Sequence, residues 1–386
     1  MKSVLVYKPE LLPYSETFIR EQVVSLVRWS GILVGEVRLM RGLPLDGMEC
    51  VTAIRSPYTA TFMQRLKKNI FRSVGYSTYI NYLNTKNLKV KIVHVHFATS
   101  VFKAWPLAKR LNVPMVVTLH GIDINIKKEW WESGRAGFLN RRYPEKILKI
   151  AQEKNVSFIA VSEAIKRSAV KFGIDESKIT VCYTGVDTEK FTPSGKCIST
   201  RSKRILFIGR LVEKKGVEYL IKAFIRALEV DPSLELVIIG DGPLGESLKK
   251  ISTSQNIIFL GQQSPENIIA EFQRSRILCL PSVTAENGDA EGFGMVLLEA
   301  QACGVPVITS ALGGGKEGLI EGITGLSFDE KDIDTLTAHI LCLIGDNERL
   351  KVMSRAAREF IETQFSLYNC TKLIEANYDR IVESAQ

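Results

Sequence analysis

Short apolar, β-branched runs recur along this chain, and each ends in a polar loop that leads toward a helical stretch. Residues 2–7, 91–97, 115–119 and 157–162 do this in the first half, and 204–208, 234–239, 257–260 and 277–280 in the second. Runs of this length without polar alternation read as strands covered on both faces, which is the habit of parallel sheets with helical crossovers. The pattern occurs twice over 386 residues, so the fold class is α/β, with two doubly wound Rossmann-like domains. The expected division is 1–190, a linker at 191–203 without periodicity, and 204–365, followed by a helical tail from 366 to 386. Helices are expected over 17–29 and 59–83, strands over 32–39 and 50–54, and Ser162 is expected to cap a helix beginning at Glu163.

The chemistry concentrates in Glu291-Gly-Phe-Gly-Met-Val-Leu-Leu-Glu299. Glycines before a helix let backbone approach a ligand, and the first turn, Gly294 with Met295 and Val296, offers unpaired N–H groups and the positive end of the dipole. Phosphate suits that place. Glu291 lies just before the helix, and Glu299 about a turn and a half inside it. A diphosphate at the helix start, with a sugar on one side and a ribose on the other, would use all of these groups. A second loop, Gly209-Arg-Leu-Val-Glu-Lys-Lys-Gly216, brackets Arg210 and Lys215 between glycines, where two cations suit a diphosphate.

The stretch from Glu291 to Glu299 resembles the E-x7-E motif of the retaining glycosyltransferases of family 4, which have the GT-B fold. Ala300-Gln-Ala-Cys-Gly-Val-Pro-Val-Ile-Thr-Ser310, Gly313-Gly314 and Gly322-Ile-Thr-Gly325 continue it in that family's order. The resemblance implies two domains facing across a cleft, the first on the acceptor side, with a last helix crossing back to it. It implies that Glu291, Phe293 and Gly294 meet the donor sugar and that Glu299 meets the ribose. Gly261 and Gln262 would meet the base, and Arg210, Lys215, Gly294, Met295 and Val296 the diphosphate. His120, in His120-Gly-Ile-Asp123 after a Val-Val-Thr-Leu strand, resembles the family's active-site histidine beside the reacting carbon. Catalysis thus falls to His120 and Glu291.

Pro13-Tyr-Ser-Glu-Thr-Phe-Ile19 and Gly288-Asp-Ala-Glu-Gly292 resemble the enzymes of exopolysaccharide, capsule and lipopolysaccharide synthesis. Ser15, Glu16 and Thr17 then either cap a helix or touch a ligand, and both roles are compatible. Lys316 stands where the family has proline, and Thr184 where it has asparagine. The co-substrate implied is a nucleoside-diphosphate sugar, with a saccharide acceptor. No cofactor or metal is expected, because the cations serve the diphosphate. His94 and His96 lack a third ligand and read as strand-end residues with a structural or substrate role.

The net charge of +9 is unevenly spread. Residues 1–185 carry +15 and the remainder −6, and no Asp or Glu occurs between Glu49 and Asp123, where eleven Lys and Arg fall. Aromatics interleave with the cations from Phe62 to Tyr82. One reading is a basic amphipathic helix on an anionic membrane, which suits a lipid-linked acceptor and a cytoplasmic enzyme held peripherally at the inner face. The other is a solvated helix face with an apolar core side. Seven scattered cysteines read as reduced thiols, and the N-terminus lacks the long apolar core of a signal peptide. Two further function classes stay open. One is a nucleic-acid-binding or nucleic-acid-glycosylating protein, although no such motif is present and no nucleic-acid partner is expected. The other is a non-catalytic carbohydrate-binding scaffold.

Overall fold

The computed structural model describes residues 1–13, 16–39, 42–58, 76–310 and 313–385, without the side chains of 55–58 and 76. It divides into two compact units. Unit 1 comprises Met1–Val161, Ile165–Gly185 and Leu367–Gln386, and unit 2 comprises Ser162–Ala164 and Val186–Ser366.

Unit 1 is built on a parallel sheet of β1 (Lys2–Tyr7), β2 (Glu10–Leu11), β3 (Trp29–Leu39), β4 (Glu49–Tyr58), β5 (Val90–His96), β6 (Met115–Leu119), β7 (Val156–Ala160) and β8 (Ile179–Val181). β1 lies between β3 and β5, and β2 continues its row along the far half of β3. The central strands are apolar because both faces are covered: Val4, Leu5, Val93, Val116 and Val117 are fully buried.

The helix expected over 17–29 stops early. It spans Thr17–Val24, and β3 begins at Trp29. Long-range contacts override the local pattern here. The carboxylate of Glu375, buried on the Leu367–Ser384 helix, accepts the N–H groups of Val27, Arg28 and Trp29 at 2.8, 2.7 and 3.1 Å. Three consecutive donors turned toward one acid cannot also continue a helix.

Only the end of the expected 59–83 helix is described. It spans Tyr76–Thr85 and turns its polar side inward. Ser77, Thr78, Asn81 and Thr85 are buried, with Ser77 donating to Glu36 and Asn81 to the Gly35 carbonyl. Tyr79 and Leu83 are 47% and 41% exposed. Residues 59–75, with the cations Arg65, Lys67, Lys68 and Arg72, lie outside the described residues.

Unit 2 carries a second parallel sheet: β9 (Arg204–Ile208), β10 (Glu235–Ile239), β11 (Ile257–Gly261), β12 (Ile277–Leu280), β13 (Val307–Ser310) and β14 (Gly325–Phe328). Its order is β11-β10-β9-β12-β13-β14. The segment expected to be a linker packs into this unit. Phe191 and Ile198 are buried, and the Arg201 guanidinium donates to the carbonyls of Phe272 and Ser275. At the start of the helix Glu163–Phe172, which Ser162 is expected to cap, Glu317 accepts the N–H groups of Glu163 and Ala164, both at 2.8 Å, and the Ser162 hydroxyl donates to the Gly292 carbonyl.

Candidate active site

Both sheets reverse direction once. In unit 2 the chain moves outward from β9 through β10 and β11, then returns to the other side of β9 as β12. Loops that leave neighbouring parallel strands at such a reversal diverge, and the gap at their carboxyl ends is where doubly wound sheets bind ligands. In unit 2 these are the loops 209–216 and 281–294.

Gly216 brings the two loops together. Its φ is 59°, and a Cβ there would lie 1.9 Å from the Pro281 carbonyl oxygen, so no side chain fits. The Val283 N–H donates to the Lys214 carbonyl beside it at 2.9 Å. The consequence is a charged constellation. Lys215 Nζ lies 2.5 Å from Glu291 Oε2, and the Ser282 hydroxyl donates to the same oxygen at 3.2 Å. Lys214 pairs with Asp289 at 3.0 Å. Burial pushes the Glu291 carboxyl up, but Lys215 and Lys214 outweigh it and hold the group below its ordinary value. Glu291 is therefore ionised at neutral pH. Arg210 is exposed on the same loop.

Gly294, at φ 78°, is the first residue before the helix Met295–Ala302, and no side chain caps that helix start. Met295 and Val296 occupy its first turn, where orphan N–H groups favour an anion. Glu299, half-buried on the same helix, has its carboxyl pushed up to about 7 by burial, against the charge of Lys190. Gly261 closes β11 at φ 65°, and Gln262 follows it exposed. The Phe293 ring is buried against Phe365, centroids 5.5 Å apart, so what Phe293 offers a ligand is backbone. Lys316 is exposed in the turn Gly313–Gly318.

In unit 1 the reversal falls between β1 and β5. His120 follows β6, with its Nε2 3.0 Å from His96 Nδ1 and its ring centroid 4.4 and 5.0 Å from those of Phe97 and Phe18. Asp123, fully buried, accepts the N–H groups of Ala98, Gly121 and His120 at 2.8, 3.1 and 3.2 Å, and so fixes the backbone of the histidine loop. Burial holds His120 at about 3, with the nearby Lys8 charge adding to the effect, and burial holds His94 at about 3. His94 is structural: its nitrogens face the Tyr378 hydroxyl at 2.5 Å and Thr118 Oγ1 at 2.6 Å.

Lys8, at the end of β1, sits 4.2 Å from the centre of the Phe97 ring and 2.7 Å from Glu16. The Glu16 side chain thus pairs with Lys8 and makes no capping bond to the helix that Thr17 begins. Ser15 lies outside the described residues. Sequence reasoning singled out neither Lys8 nor Ser282 and gave His96 only a strand-end structural or substrate role. The one available signal was their position immediately after, or at the end of, a buried strand. Among the described residues, no three His, Cys, Asp or Glu side chains gather as a metal set.

Comparison with known proteins gives two family matches, Glycosyl transferases group 1 over residues 191–360 and Glycosyltransferase Family 4 over residues 46–190. An uncharacterised glycosyltransferase of Methanocaldococcus jannaschii is 30% identical over 324 residues, 82% of this chain and 79% of that one. The D-inositol 3-phosphate glycosyltransferase of Corynebacterium urealyticum is 26% identical over 359 residues, 86% of this chain and 81% of that one. Among solved structures, HepE of Anabaena in complex with UDP and glucose superposes with a TM-score of 0.75 at 17% identity, covering 98% of this chain and 100% of that one. The lipopolysaccharide outer core galactosyltransferase WaaB gives 0.65 at 19% identity, with coverage of 98% and 100%.

Proposed function

Because the chain belongs to the GT-B glycosyltransferases of group 1 and family 4, we propose that it transfers a sugar from a nucleoside diphosphate to a lipid-linked saccharide with retention of configuration, in bacterial surface polysaccharide synthesis. The observation that carries this reading is the Lys215–Glu291–Ser282 constellation beside an uncapped helix start. A cation next to open N–H groups is suited to a leaving diphosphate, and an ionised acid beside it to sugar hydroxyls.

Arg210, Lys215 and the backbone at Gly294, Met295 and Val296 are assigned to the diphosphate. Glu291, with the backbone of Phe293 and Gly294, is assigned to the donor sugar. Glu299 takes the ribose, and Gly261 and Gln262 the base. From unit 1, His120 is assigned to the reacting end of the sugar and the loop of Ser15, Glu16 and Thr17 to the acceptor. In the step, the bond from the anomeric carbon to the diphosphate oxygen breaks and its electron pair leaves with the diphosphate. The acceptor hydroxyl bonds to the same face of that carbon, and its proton passes to the departing phosphate oxygen. Lys215 and the helix start stabilise the charge that develops there. No metal enters this scheme.

The relatives' names support acceptors of this kind. WaaB is a lipopolysaccharide outer core galactosyltransferase, and a relative from Corynebacterium glutamicum, 32% identical over 235 residues, acts on a phosphatidylinositol mannoside. Among the described residues no helix is long and apolar enough to cross a membrane. The exposed Tyr79 and Leu83, on a helix whose polar side faces inward, support a peripheral mode at the cytoplasmic face of a membrane.

Incubating the protein with a panel of nucleotide sugars and lipid-linked acceptors, and reading the product by NMR, tests the proposal. The donor's anomeric configuration should persist in the product. An inverted product overturns retention, and turnover with soluble sugars alone overturns the lipid-linked acceptor.

A further inference from the structure

His96 and His120 share one hydrogen-bonding contact, and the surroundings decide which ring supplies the proton. His96 is 1% exposed, with Nδ1 3.0 Å from His120 Nε2, and its own Nε2 is buried with no hydrogen-bond partner. Burial lowers both groups, His120 to about 3 and His96 well below 6.5, so both rings are neutral at physiological pH.

Two neutral imidazoles joined this way have two arrangements. With its hydrogen on Nε2, His96 would bury an N–H that has no acceptor, and orphaned buried N–H groups are rare. With its hydrogen on Nδ1, the orphan is only a lone pair, and His96 donates to His120 Nε2. His120 must then carry its own hydrogen on Nδ1.

The other neighbours are committed elsewhere. Asp123 is occupied by three backbone N–H groups, and both nitrogens of His94 have partners. The His94 ring lies 4.4 Å from that of His96, centroid to centroid, and packs against its plane.

We propose that His96 is a positioning residue that fixes His120 as the Nδ1–H tautomer, so that His120 presents a neutral hydrogen-bond donor to a hydroxyl oxygen of the transferred sugar. This rests on the assignment of His120 to the donor sugar. It makes His120 an orienting and polarising group and not a proton acceptor, leaving the acceptor's proton to the departing phosphate.

Nitrogen-15 NMR of histidine-labelled protein at pH 7 reads the tautomer directly, and the chain has only four histidines to assign. His120 should show a pyrrole-type Nδ1 and a pyridine-type Nε2. The reverse pattern overturns the proposal, and because the spectrum is taken on the free protein it does so whatever the enzyme transfers. His96→Asn places an amide N–H near the position of Nδ1, whereas His96→Gln places it near Nε2. The Asn variant should keep the His120 tautomer and most of kcat. The Gln variant should lose the tautomer and lower kcat by roughly 10- to 100-fold with little change in KM, taking as the scale the loss seen when a partner that orients a metal-bound imidazole is removed. Equal kinetics and an unchanged His120 spectrum in both variants would remove His96 from this role.

Discussion

Lys215 Nζ sits 2.5 Å from Glu291 Oε2, so the cation assigned to the diphosphate is held by the acid assigned to the sugar. A diphosphate that recruits Lys215 competes with Glu291 for it. Lys215→Ala is expected to weaken nucleoside diphosphate binding by roughly 1.5–3 kcal/mol, the range for hydrogen bonds to charged groups. Glu291→Gln removes the competitor and should bind the diphosphate at least as tightly while slowing transfer, because a sugar contact counts most as charge develops. Calorimetric titration with UDP and GDP in parallel checks both, and unchanged affinity in Lys215→Ala removes that residue from the site.

Glu299 supplies a pH signature. Its carboxyl is raised from 4.5 to about 7 in the folded protein by burial. Between those values the folded state holds a proton that the unfolded state releases, so stability falls as pH rises through this window. The contribution is fully present below about 4.5 and lost above about 7. Glu299→Gln should therefore flatten the pH dependence of the urea midpoint between pH 5 and 8 relative to the parent protein. In the same variant nucleotide affinity should drop, with kcat less affected.

The carboxylate of Glu375 accepts three consecutive N–H groups, from Val27, Arg28 and Trp29. Glu375→Ala leaves the buried Trp29 N–H and the part-buried N–H groups of Val27 and Arg28 without their acceptor and should lower unfolding free energy by about 3 kcal/mol, where each unsatisfied buried group costs about 1–3. Chemical denaturation measures this. A loss below ~0.5 kcal/mol would mean that water replaces the carboxylate without penalty.

Tyr79 and Leu83 give the membrane reading its described surface. Replacing both with Asp should release the protein from vesicles containing anionic lipid at low salt, with nucleotide binding intact. Sedimentation with anionic and neutral vesicles decides it. Raising the salt to 1 M, where the Debye length falls to ~3 Å, should also release the parent protein. Equal recovery in the supernatant with and without anionic vesicles ends the claim.

How much was legible in the sequence follows from what each element depends on. β1, β6, β9 and β12 begin and end where their apolar runs do, because burial on both faces imprints a continuous pattern. The helix after Thr17 was read five residues too long, because its stop is set by Glu375, 346 residues beyond Trp29. The loop 209–216 and the acidic stretch stood out through glycine spacing. Their joining through Gly216 and Pro281, and the burial of Phe293, are tertiary facts that no local window contains. The His96–His120 contact was hidden for the same reason: His120 follows the neighbouring strand β6, 24 residues along the chain from His96.

The Leu367–Ser384 helix belongs to unit 1, although unit 2 occupies the chain before it. Translation therefore delivers the whole of Val186–Ser366 before the segment that supplies Glu375 to residues 27–29 and Tyr378 to His94. On the ribosome unit 2 can close while unit 1 still waits for its final helix, its three N–H groups uncapped and His94 missing one partner. A nascent chain halted at Ser366 would carry all of unit 2 and a unit 1 that lacks its Leu367–Ser384 helix. The strands of unit 1 thus wait longest for the helix that completes their hydrogen bonding.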